Sequence, residues 1–331
     1  MFAALATAGV ASLLVCPVVT SATAAPVHAT AAPPAISLPN GPVVPASGTS
    51  LLGAMLVKGS PRSESAEWNS LEASSGGNVD LAHIIYTWGS TIPTWREGYA
   101  LQHHRTPMVS WGGVTTTDVT SGRYDSYIRT TAIALHALGG HVMLRWFWEM
   151  DGKTFAPLAV SPAAFKAAWA HIHAIFAAVG ASNVVWVWSP TAYGFDVNRA
   201  QQFYPGDALV DWVAADGFNP YPGVPGSSAK SFASIFASFY RWGMSVNKPM
   251  MVAATGAMES SDPTGKANWI RDMARTVATI DPGIRAICYL NKASGWYTDP
   301  SLTLHWELKT SANALQAWGA IAAQPTFANA R

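Results

Sequence analysis

The chain has 331 residues, of which 50% are hydrophobic and only 12% are charged, and its formal net charge is +1. This length and apolar content allow one large buried core and are usual for an α/β barrel with its loops. The near-neutral charge, without a basic or acidic tail, argues against nucleic acid as a partner and gives little support to a strongly acidic polymer.

The N-terminal segment has the pattern of a secretion signal followed by a linker. Residues 2–25 are small and apolar, lack Lys and Arg, and contain Ala-Thr-Ala at 22–24, which is typical of signal cleavage. Residues 26–49 are rich in Pro and Ala and show no periodicity. We therefore predict a signal peptide over 1–25, a linker over 26–49, and a secreted protein whose mature form has no membrane span. A soluble Ala-rich tail is the alternative.

From residue 51 onward, short apolar runs alternate with helical patterns. Eight runs are continuously apolar rather than alternating, which is typical of parallel strands that are covered on both faces. These predicted strands are LLGAMLV (51–57), AHIIYTW (82–88), TPMVSW (106–111), HVMLRWF (141–147), NVVWVW (183–188), DWVAADG (211–217), KPMMVAA (248–254) and IRAICYL (284–290).

The clearest helix is predicted over residues 161–179. Ser161 can cap its first turn, Pro162 suits its first position, and Gly180 follows its last residue. Apolar residues recur on one face of this segment, as expected for a helix that packs on a core. Further helical patterns cover 122–138, 229–245, 266–279 and 308–322.

Eight strands that alternate with helices predict a (β/α)8 TIM barrel over residues 50–323, followed by a short tail over 324–331. An open, doubly wound sheet is the alternative fold. That fold has less support, because no Gly-x-Gly-x-x-Gly pattern follows the first predicted strand.

Polar and aromatic residues follow several of the predicted strands, and the chemistry of a barrel lies where its strands end. The tryptophans among them have two possible roles, because an indole ring can pack in a core or stack on the apolar face of a sugar. The residues at these strand ends are Trp88, Trp111, Glu149, Trp188, Asp216, Asn219 and Tyr221.

Glu149 is the first candidate for catalysis. It directly follows the apolar run of the fourth strand and lies between aromatic residues that include Trp146 and Trp148. Desolvation at such a position would raise the pKa of the carboxyl group and prepare it as a general acid. A structural ion pair with Arg145 is the alternative role.

Cleavage of a glycosidic bond normally needs a second carboxyl group, which attacks the sugar or activates water. Asp216 is the best placed by sequence because it ends the sixth strand, although it could instead hold the loop before Asn219. The acids within reach along the chain are Asp151, Asp196, Asp211, Asp216 and Glu259.

Neither a metal nor a cofactor is predicted. His103 and His104 are adjacent, His171 and His173 lie on different sides of a helix, and Cys288 has no Cys or His near it in the sequence. The sequence contains no His-Glu-x-x-His motif, no Gly-x-Ser-x-Gly motif and no phosphate-binding loop.

Several motifs in a fixed order resemble glycoside hydrolase family 26, which is best known for endo-β-1,4-mannanases. The resemblance extends from about residue 51 to about residue 320, and it implies a retaining barrel with its acid on the fourth strand and its nucleophile on the seventh. The motifs are SGRYDSYI (121–128), LRWFWEMDG (144–152), NVVWVWSPT (183–191), YPGDALVDWVAADGFNPY (204–221), KPMMVAATG (248–256) and KANWIRDM…PGIRAICYLN (266–291).

The resemblance assigns roles residue by residue. The family motif R-x-x-H-E-M-N-G places the acid/base on Glu149 and its arginine on Arg145, but its histidine falls on Trp148 and its asparagine on Asp151. The family motif K-P-x-M-I-A-E-x-G places the nucleophile on Ala254, so the carboxylate that forms the glycosyl-enzyme is missing.

Together these patterns predict a monomeric, secreted hydrolase of the β-mannanase type that binds oligo- or polysaccharide. Glu149 would donate the proton, Arg145 and Tyr221 would orient charge near position 254, and tryptophans would hold sugars. The predicted binding residues are Arg145, Trp148, Trp88, Trp111, Trp188, Asp216, Asn219 and Tyr221.

The alanine at 254 leaves alternatives open. The nucleophile could be Glu259, if the alignment slides by five residues, or cleavage could be inverting, with water activated by Asp216. The alanine could also be a substitution in an active enzyme. The protein could otherwise be a non-catalytic carbohydrate-binding barrel or a structural scaffold at the cell surface.

Overall fold

A computed structural model describes residues 43–56, 58–77, 79–296 and 299–328. The predicted signal peptide and most of the predicted linker lie outside the described residues. None of the helices within these ranges is long and apolar enough to cross a lipid bilayer.

Eight parallel strands close into a barrel in chain order, so the predicted TIM barrel is confirmed. Every strand lies on one of the eight predicted apolar runs. The strands are β1 (Leu51–Met55), β2 (Leu81–Thr87), β3 (Thr106–Gly112), β4 (Val142–Trp146), β5 (Val184–Trp188), β6 (Trp212–Asn219), β7 (Met250–Ala257) and β8 (Ile284–Leu290).

Helices surround the barrel, and short 3₁₀ turns lie at Ala200–Phe203, Asp207–Leu209 and Leu308–Thr310. The helices of the described chain are α1 (Pro61–Ser74), α2 (Trp95–Gln102), α3 (Thr116–Thr120), α4 (Asp125–His136), α5 (Ala156–Ala159), α6 (Pro162–Ala178), α7 (Ala192–Asp196), α8 (Phe232–Gly243), α9 (Gly265–Thr279), α10 (Ala312–Ala322) and α11 (Pro325–Ala328).

Helix α6 shows why the sequence folds as predicted at this point. The Ser161 hydroxyl accepts a hydrogen bond from the Ala164 amide (3.1 Å), and proline occupies the first turn. Gly180 takes a left-handed φ of 73° just after the helix, which ends it. The apolar stripe, including Phe165 and Trp169, is fully buried against the barrel.

Two features of the fold were not predicted from the sequence. Helix α1 buries only Glu64, Trp68 and Leu71, so it carries no apolar stripe that sequence could reveal. After β8 the chain forms an antiparallel hairpin of β9 (Ala293–Trp296) and β10 (Asp299–His305) beside the barrel.

The core has two parts, one inside the barrel and one between the strands and the helices. Because successive strand residues face opposite sides, each strand contributes to both parts. On β5, Val185 and Val187 fill the interior, while Trp186 and Trp188 point outward to the helices. This alternation decides which strand residues can reach a site at the end of the barrel.

The C-terminal end of the described chain is part of the same folded body. Phe327 of α11 is buried, and the Ser50 amide donates a hydrogen bond to the Thr326 carbonyl (2.7 Å). The last helix therefore closes against the start of β1.

Candidate active site

An open cavity of about 800 Å³ lies at the carboxyl ends of the strands, where a barrel carries its chemistry. Seven residues named in the sequence analysis line it, from β4, β6, β7, α7 and the loop after β4. They are Arg145, Trp148, Glu149, Asp151, Asp196, Asp216 and Ala254.

An ion pair between Arg145 and Asp216 forms the floor of this cavity. Both side chains are almost fully buried, and Arg145 Nη1 lies 2.6 Å from each carboxylate oxygen of Asp216. The Ser189 hydroxyl donates to Asp216 Oδ1 (2.9 Å), and Arg145 Nε donates to the Ser110 hydroxyl (2.7 Å). Buried charges require such complete pairing, so these side chains have little freedom to move.

Glu149 reaches the cavity through an unusual backbone turn directly after β4. Its φ is 53°, and Phe147 has a φ of 54°, both in the left-handed region that bulky residues rarely adopt. The Glu149 amide donates to the Ser189 carbonyl (2.8 Å), and the Gly152 amide donates to the Glu149 carbonyl (2.8 Å). These bonds hold a strained backbone of a kind that recurs at functional sites.

Glu149 and Asp216 share one proton. Burial and then the negative charge of Asp216 raise the pKa of Glu149 to about 8, against the opposing effect of Arg145. Burial also raises the pKa of Asp216, while Arg145 and Ser189 stabilise its charged form. Because Asp216 is paired with Arg145, it is the member that is ionised, and Glu149 retains the proton.

This shared proton predicts how stability depends on pH. An ordinary Glu carboxyl titrates near 4.5, so above that pH the unfolded chain releases a proton that folded Glu149 retains. The free energy of unfolding should therefore fall as pH rises from about 4.5 to about 8, by at most about 1.4 kcal/mol per pH unit for one proton.

Glu149→Gln tests this, because the variant cannot release that proton. Urea unfolding of both proteins at several pH values should show a shallower decline for Glu149→Gln. Parallel curves would mean that Glu149 is already ionised in the folded protein at neutral pH.

His83 is a cavity residue that sequence reasoning missed. Burial, then Arg145, lowers its pKa well below the usual value, so the ring is neutral, and its Nε2 lies 2.7 Å from the Ser110 hydroxyl. The signal in the sequence is its spacing on β2, where Leu81 fills the interior and Ile85 lines the cavity. Residues two apart along a strand face the same side.

Trp148 forms part of the cavity wall. The Arg145 guanidinium lies 5.6 Å from its ring centre, and Phe155 packs edge-on against it at 5.0 Å. Trp148 is half-buried, so part of the indole is available to a ligand in the cavity.

Three other predicted sugar platforms lie away from the cavity. Trp111 and Trp188 are fully buried on the outward faces of their strands, so the expectation of sugar contacts is wrong for both. Trp111 donates to the Tyr127 hydroxyl (3.2 Å), while Trp188 packs against Trp242 at 5.3 Å. Trp88 stacks on Trp111 at 4.4 Å and is not among the cavity residues.

Asn219 and Tyr221 also lie outside the cavity lining. Asn219 is buried, and its side-chain carbonyl accepts a hydrogen bond from the Lys230 amide (3.3 Å), which organises the loop after β6. Tyr221 is 41% exposed and is not among the cavity residues, so its predicted role beside Ala254 stays a prediction.

Ala254 reaches the cavity because of a bulge in β7. The pairing of β6 and β7 is Ala215 with Val252 and then Asp216 with Ala254, so Ala253 is the extra residue. Ala253 fills the barrel interior, and the bulge turns the next side chain toward the cavity as well. Position 254 is therefore beside Asp216, with a methyl group where the family motif has a carboxylate.

The other candidate acids do not supply a nucleophile. Glu259 lies beyond β7, where it accepts from the Thr310 hydroxyl (2.8 Å), and Asp211 caps the Trp186 amide (2.7 Å) at the opposite end of β6. Asp151 accepts from the Thr191 amide (2.8 Å) and hydroxyl (2.7 Å) at the start of α7. Asp196 lines the cavity from an exposed position.

Asp216 is unsuited to activating water for inverting cleavage. Inverting enzymes hold their two carboxyls about 6.5–9.5 Å apart to leave room for the water. Here Glu149 and Asp216 are close enough for the charge of Asp216 to raise the pKa of Glu149, and both oxygens of Asp216 are already bound by Arg145. Among the residues that the structure describes, no group of three or more His, Cys, Asp or Glu is placed to hold a metal ion.

The closed barrel carries two neighbouring carboxyl groups, Glu149 and Asp216, at its carboxyl end, and paired carboxyl groups are what glycoside hydrolases use. Residues 123–262 match the family described as Glycosyl hydrolase family 26. Endoglucanase H of Acetivibrio thermocellus is 30% identical over 290 residues, which cover 81% of this chain and 30% of that protein. The chain thus spans about a third of the length of this curated relative.

Solved structures share the fold. A β-mannanase from a symbiotic protist of the termite Reticulitermes speratus, complexed with gluco-manno-oligosaccharide, gives a TM-score of 0.59 at 15% identity and covers 89% of this chain and 98% of its own. The Bacillus subtilis mannanase BCman gives 0.58 at 17%, with 82% and 85% covered. The family match and the identity with Endoglucanase H confirm the resemblance to glycoside hydrolase family 26, and the solved structures confirm the barrel fold.

Proposed function

We propose that this protein is a secreted, monomeric glycoside hydrolase of the β-mannanase type. It acts on a β-linked polysaccharide, a β-mannan or a β-glucan, with Glu149 as the proton donor. The near-neutral net charge argues against nucleic acid as a partner. The relatives named for endoglucanase and mannanase activity support these two substrate classes.

One observation carries the proposal: Glu149, whose pKa is raised to about 8 by burial, lines a cavity at the carboxyl end of the barrel together with the Arg145–Asp216 ion pair. A carboxyl that keeps its proton near neutral pH is suited to general acid catalysis. Glu149 would give its proton to the glycosidic oxygen as the bond from that oxygen to the sugar carbon breaks. Asp216, kept ionised by Arg145, would stabilise the positive charge that develops on the sugar.

Ala254 limits this reaction, because no carboxylate attacks the sugar carbon from that position. Water or a small external nucleophile would have to form the new bond. The same methyl group favours the second candidate function, a barrel that binds carbohydrate without cleaving it.

The proposal can be tested by incubating wild type, Glu149→Gln and Trp148→Ala with a panel of polysaccharides. Both the reducing ends that are released and the binding affinity are measured. Wild type should bind mannan or glucan oligosaccharides and release reducing ends slowly. Glu149→Gln should keep the affinity and lose the release, while Trp148→Ala should weaken binding by about 1–3 kcal/mol. Trp95→Ala, on α2 and outside the cavity lining, is the matched control. Binding without cleavage in wild type would select the carbohydrate-binding protein, and no binding would reject both functions.

Secretion is a separate part of the proposal and rests on the apolar N-terminal run with its Ala-Thr-Ala pattern. The mature chain should begin near Ala25 or Pro26. N-terminal sequencing of protein from culture supernatant measures this, and an intact chain found only in the cytosol would contradict it.

A further inference from the structure

Lys292 extends the inward-facing row of β8 into the cavity. Ala286 and Cys288 fill the barrel interior, and Leu290 and Lys292 then line the cavity, at the two-residue spacing of one strand face. Asn291 fixes the chain just before it, because its amide donates to the Met55 carbonyl (2.9 Å) and its side chain accepts from the Leu308 amide (2.7 Å).

The ammonium group of Lys292 makes no hydrogen bond or ion pair with any residue in the described ranges. The side chain is half-buried, and burial lowers its pKa. Its charge acts on two neighbours, Lys58 and His83, neither of which carries a negative charge. A partly desolvated cation without a partner is costly unless a ligand supplies the opposite charge.

Lys266 shows how this chain treats a buried lysine that serves structure alone. Its ammonium donates to the Glu307 carbonyl (2.6 Å) and the Thr310 hydroxyl (2.9 Å). Burial lowers its pKa to about 8, and the negative charge of nearby Glu259 opposes this shift. Lys292 makes no comparable hydrogen bonds within the described ranges, and it faces the cavity.

The other charged groups that line the cavity with Ala254 also leave the charge of Lys292 unbalanced. Asp216 is engaged by Arg145, and Glu149 is protonated, so neither of these two carboxyl groups balances Lys292. The family motif has a carboxylate at position 254, on the strand next to β8, where this chain has a methyl group. The cavity therefore contains the cation Lys292 but lacks the carboxylate that the family motif has on β7.

We propose that this cavity, which both Ala254 and Lys292 line, binds an oxyanion and that Lys292 holds it. The anion would come from either of two sources, the carboxylate of a uronic acid residue within the saccharide or a free small oxyanion such as formate or phosphate. A charge-assisted hydrogen bond in a half-buried site selects strongly for an anion. The inference rests on the proposed function only in taking the rest of the ligand to be a saccharide.

Calorimetric titration separates these sources with two matched saccharides, β-1,4-mannotetraose and tetra-β-1,4-mannuronate, which differ only in the carboxylates. If the anion belongs to the saccharide, wild type should bind the mannuronate at least about tenfold more tightly. If the anion is free, formate or phosphate at constant ionic strength should strengthen mannotetraose binding to a similar extent, and chloride should not.

Three variants assign the effect to the proposed site. Lys292→Gln should abolish the anion effect, and Lys292→Arg should retain most of it. Lys166→Gln removes the same charge from an exposed position on α6 and should behave as wild type.

Equal affinities without any anion effect in wild type, or an anion effect that persists in Lys292→Gln, would overturn the inference. If wild type binds mannuronate but no neutral saccharide, the oxyanion site stands, and the proposed neutral substrate fails.

Discussion

Ala254→Glu is expected to raise the rate of β-mannan cleavage by about a hundredfold or more over wild type, because an enzymic nucleophile contributes several orders of magnitude. The bulge at Ala253 turns this position toward the cavity, and Asp216 is its partner across the strands. A carboxylate here would lie near Glu149, at about the 5–5.5 Å that retaining cleavage requires.

Two features set the size of this gain. Lys292 lines the same cavity and provides positive charge for a new carboxylate. Trp148, in contrast, replaces the histidine that the family motif has beside the acid, so we expect only part of a full enzyme's rate.

Ala254→Gln is the matched control, because glutamine has nearly the same shape as glutamate but cannot form a stable glycosyl-enzyme. This variant should cleave at the wild-type rate. Product analysis on β-mannan and mixed-linkage β-glucan measures all three proteins. A wild type that already cleaves at an ordinary rate, with no change in Ala254→Glu, would place the nucleophile elsewhere.

Arg145→Met is expected to lower the free energy of unfolding by about 3–5 kcal/mol, which is the usual cost of removing one partner of a buried ion pair. Asp216 would then be buried beside Glu149 without a cation, and the Ser110 hydroxyl would lose the Arg145 donor. Urea unfolding at neutral pH measures the loss.

The double variant Arg145→Met with Asp216→Leu controls for lost packing, because it removes both charges. Its stability should recover toward wild type, as it does when a whole buried pair is replaced by apolar residues. If Arg145→Met alone costs less than about 1 kcal/mol, water or another cation compensates Asp216, and the pair does not set the protonation of Glu149.

The barrel could be predicted from the sequence because its strands are buried on both faces and therefore form continuous apolar runs. The same property hid the orientation of individual side chains. A run such as NVVWVW has no polar alternation, so nothing in it shows that Val187 faces inward and Trp188 outward. The predicted sugar contacts of Trp111 and Trp188 failed for this reason.

The site was predictable where a residue type carried the chemistry, as with Glu149 and Asp216. It was not predictable where a local distortion decides the outcome. The bulge that brings Ala254 to the cavity, and the left-handed turn at Glu149, arise from tertiary hydrogen bonds that no short pattern reveals. His83 and Lys292 were missed because their two-residue spacing becomes informative only once the inward face of each strand is known.

Chemical rescue of wild type tests most directly the central claim that Glu149 is in place and that the nucleophile's position is occupied by Ala254. An aryl β-mannoside with a good leaving group would be incubated with and without azide, and the products analysed for glycosyl azide. The account predicts that azide accelerates release of the aryl group and forms an α-mannosyl azide, and that Ala254→Leu, which fills the space, abolishes both effects. Rapid hydrolysis that azide neither accelerates nor diverts would contradict it.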